Sequence, residues 1–101
     1  MYQQFSATTE TRDQVEIIRL KGYIEDTGGT MLKQTVQSGL DAGFSLFALD
    51  CTEVELISSP GVAAFLDIAG TIADDFAGLI SVWGLDKHHS TVLEMSGFFF
   101  M

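Results

Sequence analysis

The single proline of this chain, Pro60, stands where an apolar stretch changes into a helical pattern. Leu56 and Ile57 are apolar, two serines follow, and apolar residues at helical spacing begin at Val62. Proline suits the first position of a helix, because its missing N–H would have no partner there and its fixed φ is helical. The residue before a proline favours extended backbone, which an N-cap also needs. We therefore predict a helix that begins at Pro60 with Ser59 as its N-cap.

The hydroxyl of Ser59 would then lie at the positive end of a helix dipole. A phosphate group is better tolerated at that end of a helix than elsewhere on it. Local sequence leaves two interpretations of Ser59 open, an ordinary cap or a phosphorylation site. Ser58 has the same two interpretations, from a weaker position.

Length and composition predict a single folded domain that spans residues 1–101, because 47% of the residues are hydrophobic and only 19% are charged. The sequence contains no apolar run of membrane-spanning length and no signal peptide pattern at its start. We therefore expect a cytoplasmic protein that does not bind membranes.

The net charge of −9 argues against nucleic acid as a partner, and fits a basic protein partner or solubility alone. Cys51 is the only cysteine, so we expect a buried thiol and no intrachain disulfide.

The apolar patterns predict alternating strands and helices. Strands are predicted at residues 3–9, 15–24, 44–50, 79–83 and 98–101. Helices are predicted from about residue 30 to 42 with Thr27 or Thr30 as cap, from 60 to 73, and within 86–97. Residues 10–14 are predicted to form a turn, 28–30 a flexible loop and 53–57 a connection. This order after an initial hairpin predicts an α/β fold with a parallel or mixed sheet.

No group of residues has the spacing of a catalytic or metal site. Asp26, Asp50 and Glu53 lie near predicted strand ends, where open α/β sheets bind ligands, but no nucleophile with a nearby histidine accompanies them. The glycines before residue 30 lack the lysine of a phosphate-binding loop. His88 and His89 are adjacent, so they would point in different directions on a helix. We expect a protein that is not an enzyme and that binds neither a metal nor a cofactor.

Four segments, in order, resemble the STAS domain of bacterial anti-sigma factor antagonists. Residues 18–25 look like the family's strand that ends in leucine-x-glycine-x-leucine-aspartate, and residues 47–54 look like its central strand. Residues 56–62 lie where the family has aspartate-serine-serine/threonine-glycine-leucine. Residues 92–98 are similar to its late leucine-x-x-serine-glycine-leucine stretch. The resemblance implies a STAS-type mixed β-sheet flanked by α-helices.

In antagonists of this family, the first serine of that motif is phosphorylated by a partner that is both an anti-sigma factor and a serine kinase. The unphosphorylated protein binds this partner and frees sigma, the phosphorylated protein does not, and a phosphatase resets the switch. Carried over by position, the phosphoacceptor is Ser59. The partner-binding surface that the resemblance implies consists of Glu25, Asp26, Ser58, Ser59, Pro60, Gly61 and Val62.

Two residues depart from the family motif, because Ser58 replaces its aspartate and Pro60 replaces its second hydroxyl residue. These departures favour an alternative, a scaffold subunit without a phosphorylation cycle that assembles with its own copies or with other STAS proteins. A third alternative is a small-ligand binder or a minor enzyme that uses Asp50 and the loop of Gly28 and Gly29. The family usually adds a final helix after the position of residue 101, so residues 98–101 are expected to be open to a partner or a second copy.

Overall fold

The computed structural model describes residues 3–75 and 78–85, which form two helices packed on a four-stranded sheet. The strands are β1 (Ser6–Arg12), β2 (Val15–Ile24), β3 (Leu46–Ile57) and β4 (Leu79–Trp83). The helices are α1 (Asp26–Asp41) and α2 (Ser59–Gly70), and one π-helical turn, Thr71–Asp75, continues α2. The helix predicted within residues 86–97, its two histidines and the strand predicted at 98–101 lie outside the described residues.

The sheet has the strand order β1-β2-β3-β4. β1 is antiparallel to β2, whereas β2 with β3 and β3 with β4 are parallel pairs. The prediction of an α/β fold with a mixed sheet is therefore confirmed. β1 lies three residues later than predicted, because the turn needs only two residues. Asp13 and Gln14 have φ of 50° and 70°, the left-handed backbone of a tight hairpin turn.

The prediction of a connection at residues 53–57 is wrong, because β3 continues to Ile57. Its pairing with β2 shifts register twice, between Arg19 and Lys21 and again between Gly22 and Tyr23, as at β-bulges. The extra residue of a bulge lets the strand bend without ending. The consequence is that β2 and β3 end side by side, with Ile24 opposite Ile57.

The predicted loop at Gly28 and Gly29 is also wrong, since both glycines lie inside the first turns of α1. The N-cap is Glu25, without a side-chain cap bond, so neither predicted threonine caps this helix. The glycines allow close packing: a Cβ on Gly28 would lie 3.0 Å from the Phe5 ring, and one on Gly29 would lie 2.9 Å from the Ala64 Cβ.

One core lies between the two helices and the sheet face beneath them. The apolar stripe of α1, formed by Leu32, Val36 and Leu40, is buried in this core. On α2 Ile68 is buried, whereas Ala73, inside the range predicted for this helix, is exposed. Residue 73 lies in the π-helical turn, which has more residues per turn than an α-helix and so moves this residue off the buried face.

The core also holds Cys51, and burial, aided by Asp50, raises the pKa of its thiol to about 12.

Glu16 is a charged residue on the buried face of β2. Its Oε1 lies where a Cβ on Gly39 of α1 would approach to 2.8 Å, and the Phe47 ring lies beside it. Burial raises the pKa of the Glu16 carboxyl above its ordinary value of 4.5, because the charged form loses hydration. The folded state therefore bears a cost at neutral pH that falls as pH drops through the raised pKa.

We expect Glu16→Gln to raise the free energy of unfolding at pH 7, because an amide needs less hydration than a carboxylate. The gain should shrink as pH falls through the raised pKa and reach its minimum below 4.5, where the wild-type carboxyl is protonated in both states. Urea denaturation between pH 4 and 8 measures this difference. Glu53→Gln, at an exposed carboxylate, removes the same charge and should give no comparable gain; a gain at position 16 that ignores pH would contradict the assignment.

Candidate functional site

The residues of the predicted partner-binding surface meet where two parallel strands end. Ile24 is paired with Ile57, so Glu25 and Ser58 follow at the same edge of the sheet. The backbone N–H of Ser58 donates to the carbonyl oxygen of Ile24 at 2.9 Å, and the Ser58 hydroxyl donates to the same oxygen at 3.2 Å. The end of β2 is thereby tied to the start of α2.

The N-cap of α2 is Ser58, so the prediction of Ser59 as N-cap is wrong by one residue. The Ser58 oxygen accepts a hydrogen bond from the Gly61 N–H at 3.3 Å, and its backbone is extended, with φ −79° and ψ 173°. β3 pairing ends at Ile57, so Ser58 is the first residue free to turn into the helix. A serine cap of this kind contributes about 1 kcal/mol of helix stability. Pro60 consequently occupies the second helical position, where its missing N–H still costs nothing.

Ser59 is the first residue of α2 and is exposed to solvent. Its hydroxyl makes no hydrogen bond with any other residue in the described part of the chain. Pro60 beside it is exposed as well, whereas Gly61 and Val62 are buried. Gly61 and Val62 therefore support the junction from inside, whereas Ser59 and Pro60 are the parts of it that face solvent.

Gly61 lets α2 begin directly against the end of β2. A Cβ on this residue would lie 2.5 Å from the Ile24 carbonyl oxygen and 2.8 Å from Cγ2 of Ile57. Both distances are shorter than real Cβ contacts allow. Only glycine therefore fits, and the glycine sets where Ser59 and Pro60 stand on the surface.

The surface around Ser59 is acidic and grooved. Glu25 and Asp26 are exposed at the start of α1. A shallow open groove of about 200 Å³ runs between α1 and α2, with Asp26 and Pro60 among its lining residues. Lys33 of α1 crosses this groove to Asp67 of α2, with Nζ and Oδ2 3.2 Å apart. Both side chains are largely exposed, so the pair contributes at most about 1 kcal/mol to stability.

Asp50 and Glu53 do not join this site, because both lie within β3. Asp50 accepts hydrogen bonds from the backbone N–H and the hydroxyl of Thr52, at 3.0 and 2.6 Å, and faces Arg19 at 3.8 Å. It lies on the sheet face opposite α1, so the structure does not bring it together with Gly28 and Gly29.

Within residues 3–75 and 78–85, no cluster of His, Cys, Asp and Glu has the geometry of a metal site. None of the helices described there is long and apolar enough to cross a membrane.

Sequence reasoning missed the close approach of α1 and α2. The signal was present as two pairs of small residues, Gly28 with Gly29 and Ala63 with Ala64, each near the start of its helix. Small residues at such positions let helix backbones approach closely. The ion pair between Lys33 and Asp67 is a consequence of that approach.

Comparison with solved structures identifies the architecture. An anti-sigma factor antagonist from Mycobacterium paratuberculosis is 18% identical and superposes with a TM-score of 0.71, over 92% of this chain and 82% of that one. The anti-sigma factor antagonist SpoIIAA in its unphosphorylated form is 17% identical, with a TM-score of 0.74 over 97% of this chain and 87% of its own. A STAS domain antagonist from Rhodobacter sphaeroides is 18% identical, with a TM-score of 0.59 over 79% and 86% of the two chains. The chain has the STAS fold.

SpoIIAA, the Bacillus cell fate determinant, has also been solved in a phosphorylated form, which superposes on this chain with a TM-score of 0.71 at 18% identity, over 93% of this chain and 84% of its own. By sequence, no family model and no curated protein matches the chain. These likenesses establish the architecture of the chain.

Proposed function

We propose that this chain is a STAS regulatory protein of the anti-sigma factor antagonist type. It binds an anti-sigma factor that is also a serine kinase, acts in the cytoplasm, and is itself neither an enzyme nor dependent on a cofactor. The shared fold with solved antagonists supports this role, as do the four sequence segments that resemble the family. The binding surface is the edge formed by Glu25, Asp26, Ser58, Ser59 and Pro60, and Gly61 and Val62 support it from inside.

The observation that carries the proposal is the division of roles between two adjacent serines. Ser58 caps α2 through its hydroxyl, so the hydroxyl of Ser59 is not needed for the fold. Ser59 is exposed at the first helical position, where a kinase can reach it. A phosphoryl group there meets the positive end of the helix dipole, so the fold tolerates it.

The acidic surroundings explain how phosphorylation would reverse binding. A phosphoserine adds about 1.5 to 2 negative charges at pH 7. Glu25 and Asp26 already make this edge acidic. A phosphoryl group at Ser59 adds charge of the same sign, and a partner surface that fits the neutral hydroxyl would have to remove water from that charge in order to bind. Phosphorylated Ser59 changes the charge at the centre of that contact and fills the space a partner side chain would occupy. A phosphatase restores the binding form.

The test is phosphorylation by the anti-sigma factor kinase that the chain binds, with ATP and site mapping by mass spectrometry. We expect one phosphoryl group at Ser59, none in Ser59→Ala, and unchanged modification in Ser58→Ala once circular dichroism shows that this variant is folded. Modification at Ser58, at another residue, or at none would overturn the assignment of Ser59.

A second function is favoured by the exposed Pro60. A proline at the second helical position stiffens the segment that a kinase must grip, and the family's acceptor motif has a hydroxyl residue there. The chain would then be a scaffold that binds its partner permanently through the same surface. Stable binding to a partner without any phosphoryl transfer would support this alternative.

A further inference from the structure

The sheet has a second face, which we call the open face, on the side away from α1 and α2. We define it by the three rows that cross all four strands, as the strand registers give them. Their members are Arg12, Val15, Leu46 and Leu79; Glu10, Ile17, Ala48 and Ser81; and Thr8, Arg19, Asp50 and Trp83. The residues alternating with them, such as Ile18, Leu49 and Val82, form the core beneath the helices. No helix among residues 3–75 and 78–85 packs on the open face.

The open face carries apolar side chains at the start of its two central strands and at both ends of β4. Val15, Leu46 and Leu79 lie side by side across three strands. Leu79 is 56% exposed and Trp83 is 42% exposed, and apart from Met31 on α1 they are the large hydrophobic residues exposed in the described part of the chain. Exposed apolar side chains grouped on one surface are typical of interaction sites.

The charges of the open face balance, although the chain carries a net charge of −9. Its two acidic and two basic side chains are linked to one another: Arg12 to Glu10 at 2.9 Å, Arg19 to Glu10 at 3.0 Å, and Arg19 to Asp50 at 3.8 Å. The acidic surplus therefore lies on other surfaces. Two copies that meet elsewhere repel each other, whereas two copies that meet through the open face bring together neutral surfaces.

We propose that the open face is an interface with a second copy of this chain, related by a two-fold axis. A two-fold contact places the same patch on both sides, which a charge-balanced apolar face permits. Gly84 turns beside Thr52 and Leu85 packs against the core, so the described part of the chain after β4 does not cover the open face.

The size of the face sets the strength of the association. Four strands about 4.8 Å apart and about 20 Å long present roughly 400 Å² per copy. A stable interface buries roughly 800 Å² per partner, so we expect a weak dimer that forms and dissociates with concentration. The Ser59 surface lies at the carboxyl end of the strands on the helix side, so both copies keep it accessible.

Trp83 is the only tryptophan of the chain, so its fluorescence reports directly on the open face. The full chain is studied by light scattering and tryptophan emission from about 1 µM to 1 mM, a range that brackets weak interfaces. We expect the mass to rise toward a dimer and the emission to shift to shorter wavelength over the same concentrations. Leu79→Glu and Ser81→Arg should each abolish both changes, whereas Met31→Glu, at a matched exposed side chain on α1, should leave them intact.

Three results would overturn the proposal. The first is a monomer across the whole range with emission typical of exposed tryptophan. The second is a dimer that persists in both open-face variants while circular dichroism shows them folded. The third is a monomer whose Trp83 emission is blue-shifted at every concentration, since the chain itself would then cover the face.

Discussion

Ser59→Asp is expected to weaken binding to the anti-sigma factor kinase by roughly 30- to 150-fold, about 2–3 kcal/mol, because an added negative charge meets an interface matched to a neutral hydroxyl. The fold should not suffer. An acidic residue in the first turn of a helix stabilises it by about 0.3–1 kcal/mol, and α2 has no acidic residue there now. Isothermal titration calorimetry measures the affinity, and thermal unfolding measures the stability.

Two controls separate the position of the charge from the charge itself. Ser59→Ala removes the hydroxyl without adding charge and should keep the wild-type affinity. Ser38→Asp places the same charge at an exposed position near the other end of α1 and should also bind normally. Wild-type affinity in Ser59→Asp would refute the phosphorylation switch and favour the permanent scaffold.

Gly61→Ala is expected to lower the free energy of unfolding by about 1–3 kcal/mol, the usual cost of forcing atoms into a packed site. The new methyl group would collide with the Ile24 carbonyl oxygen, which is backbone and cannot rotate away. To fold, the variant must move the start of α2 outward and loosen the bonds from Ser58 to β2. Urea denaturation followed by circular dichroism measures the loss, and partner affinity should fall with it.

Gly70→Ala, at the other end of the same helix, is the matched control. The nearest atom to a Cβ there is Oδ2 of Asp74 at 4.0 Å, so the methyl group has space. Alanine is a better helix former than glycine by about 0.5–1 kcal/mol, so this variant should be more stable than the wild type. The same substitution should therefore act with opposite signs at the two ends of α2. Equal effects at both positions would contradict the close contact at Gly61.

Sequence periodicity was enough to predict the mixed sheet and the main helices, because strands such as Leu79–Trp83 and the stripe of Leu32, Val36 and Leu40 carry clear apolar patterns. Periodicity gave the wrong secondary structure where contacts between residues distant in sequence determine it. Gly28 and Gly29 read as a loop because glycine is a poor helix former, yet packing against Phe5 and Ala64 makes glycine the residue that fits inside α1.

The cap of α2 shows the same limit at the candidate site. Local rules allow either serine before Pro60 to be the N-cap, and they favour the one next to the proline. Contact with the end of β2 determines that Ser58 is the cap, because the Ile24 carbonyl accepts hydrogen bonds from both its N–H and its hydroxyl. A single sequence does not reveal which residue lies opposite Ile24. For that reason, only the fold shows that Ser58 caps α2 and that the Ser59 hydroxyl is not needed for this cap.

The double hydrogen bond to the Ile24 carbonyl also links the two helices mechanically. The peptide group of Ile24 directly precedes Glu25, the N-cap of α1, and it also anchors Ser58, the N-cap of α2. Local opening at the start of one helix therefore disturbs the hydrogen bonds at the start of the other. We expect the amide hydrogen exchange rates in the first turns of α1 and α2 to change together. A partner that clamps only α2 would then slow exchange in α1 as well, and the two helix starts would respond to binding as one unit.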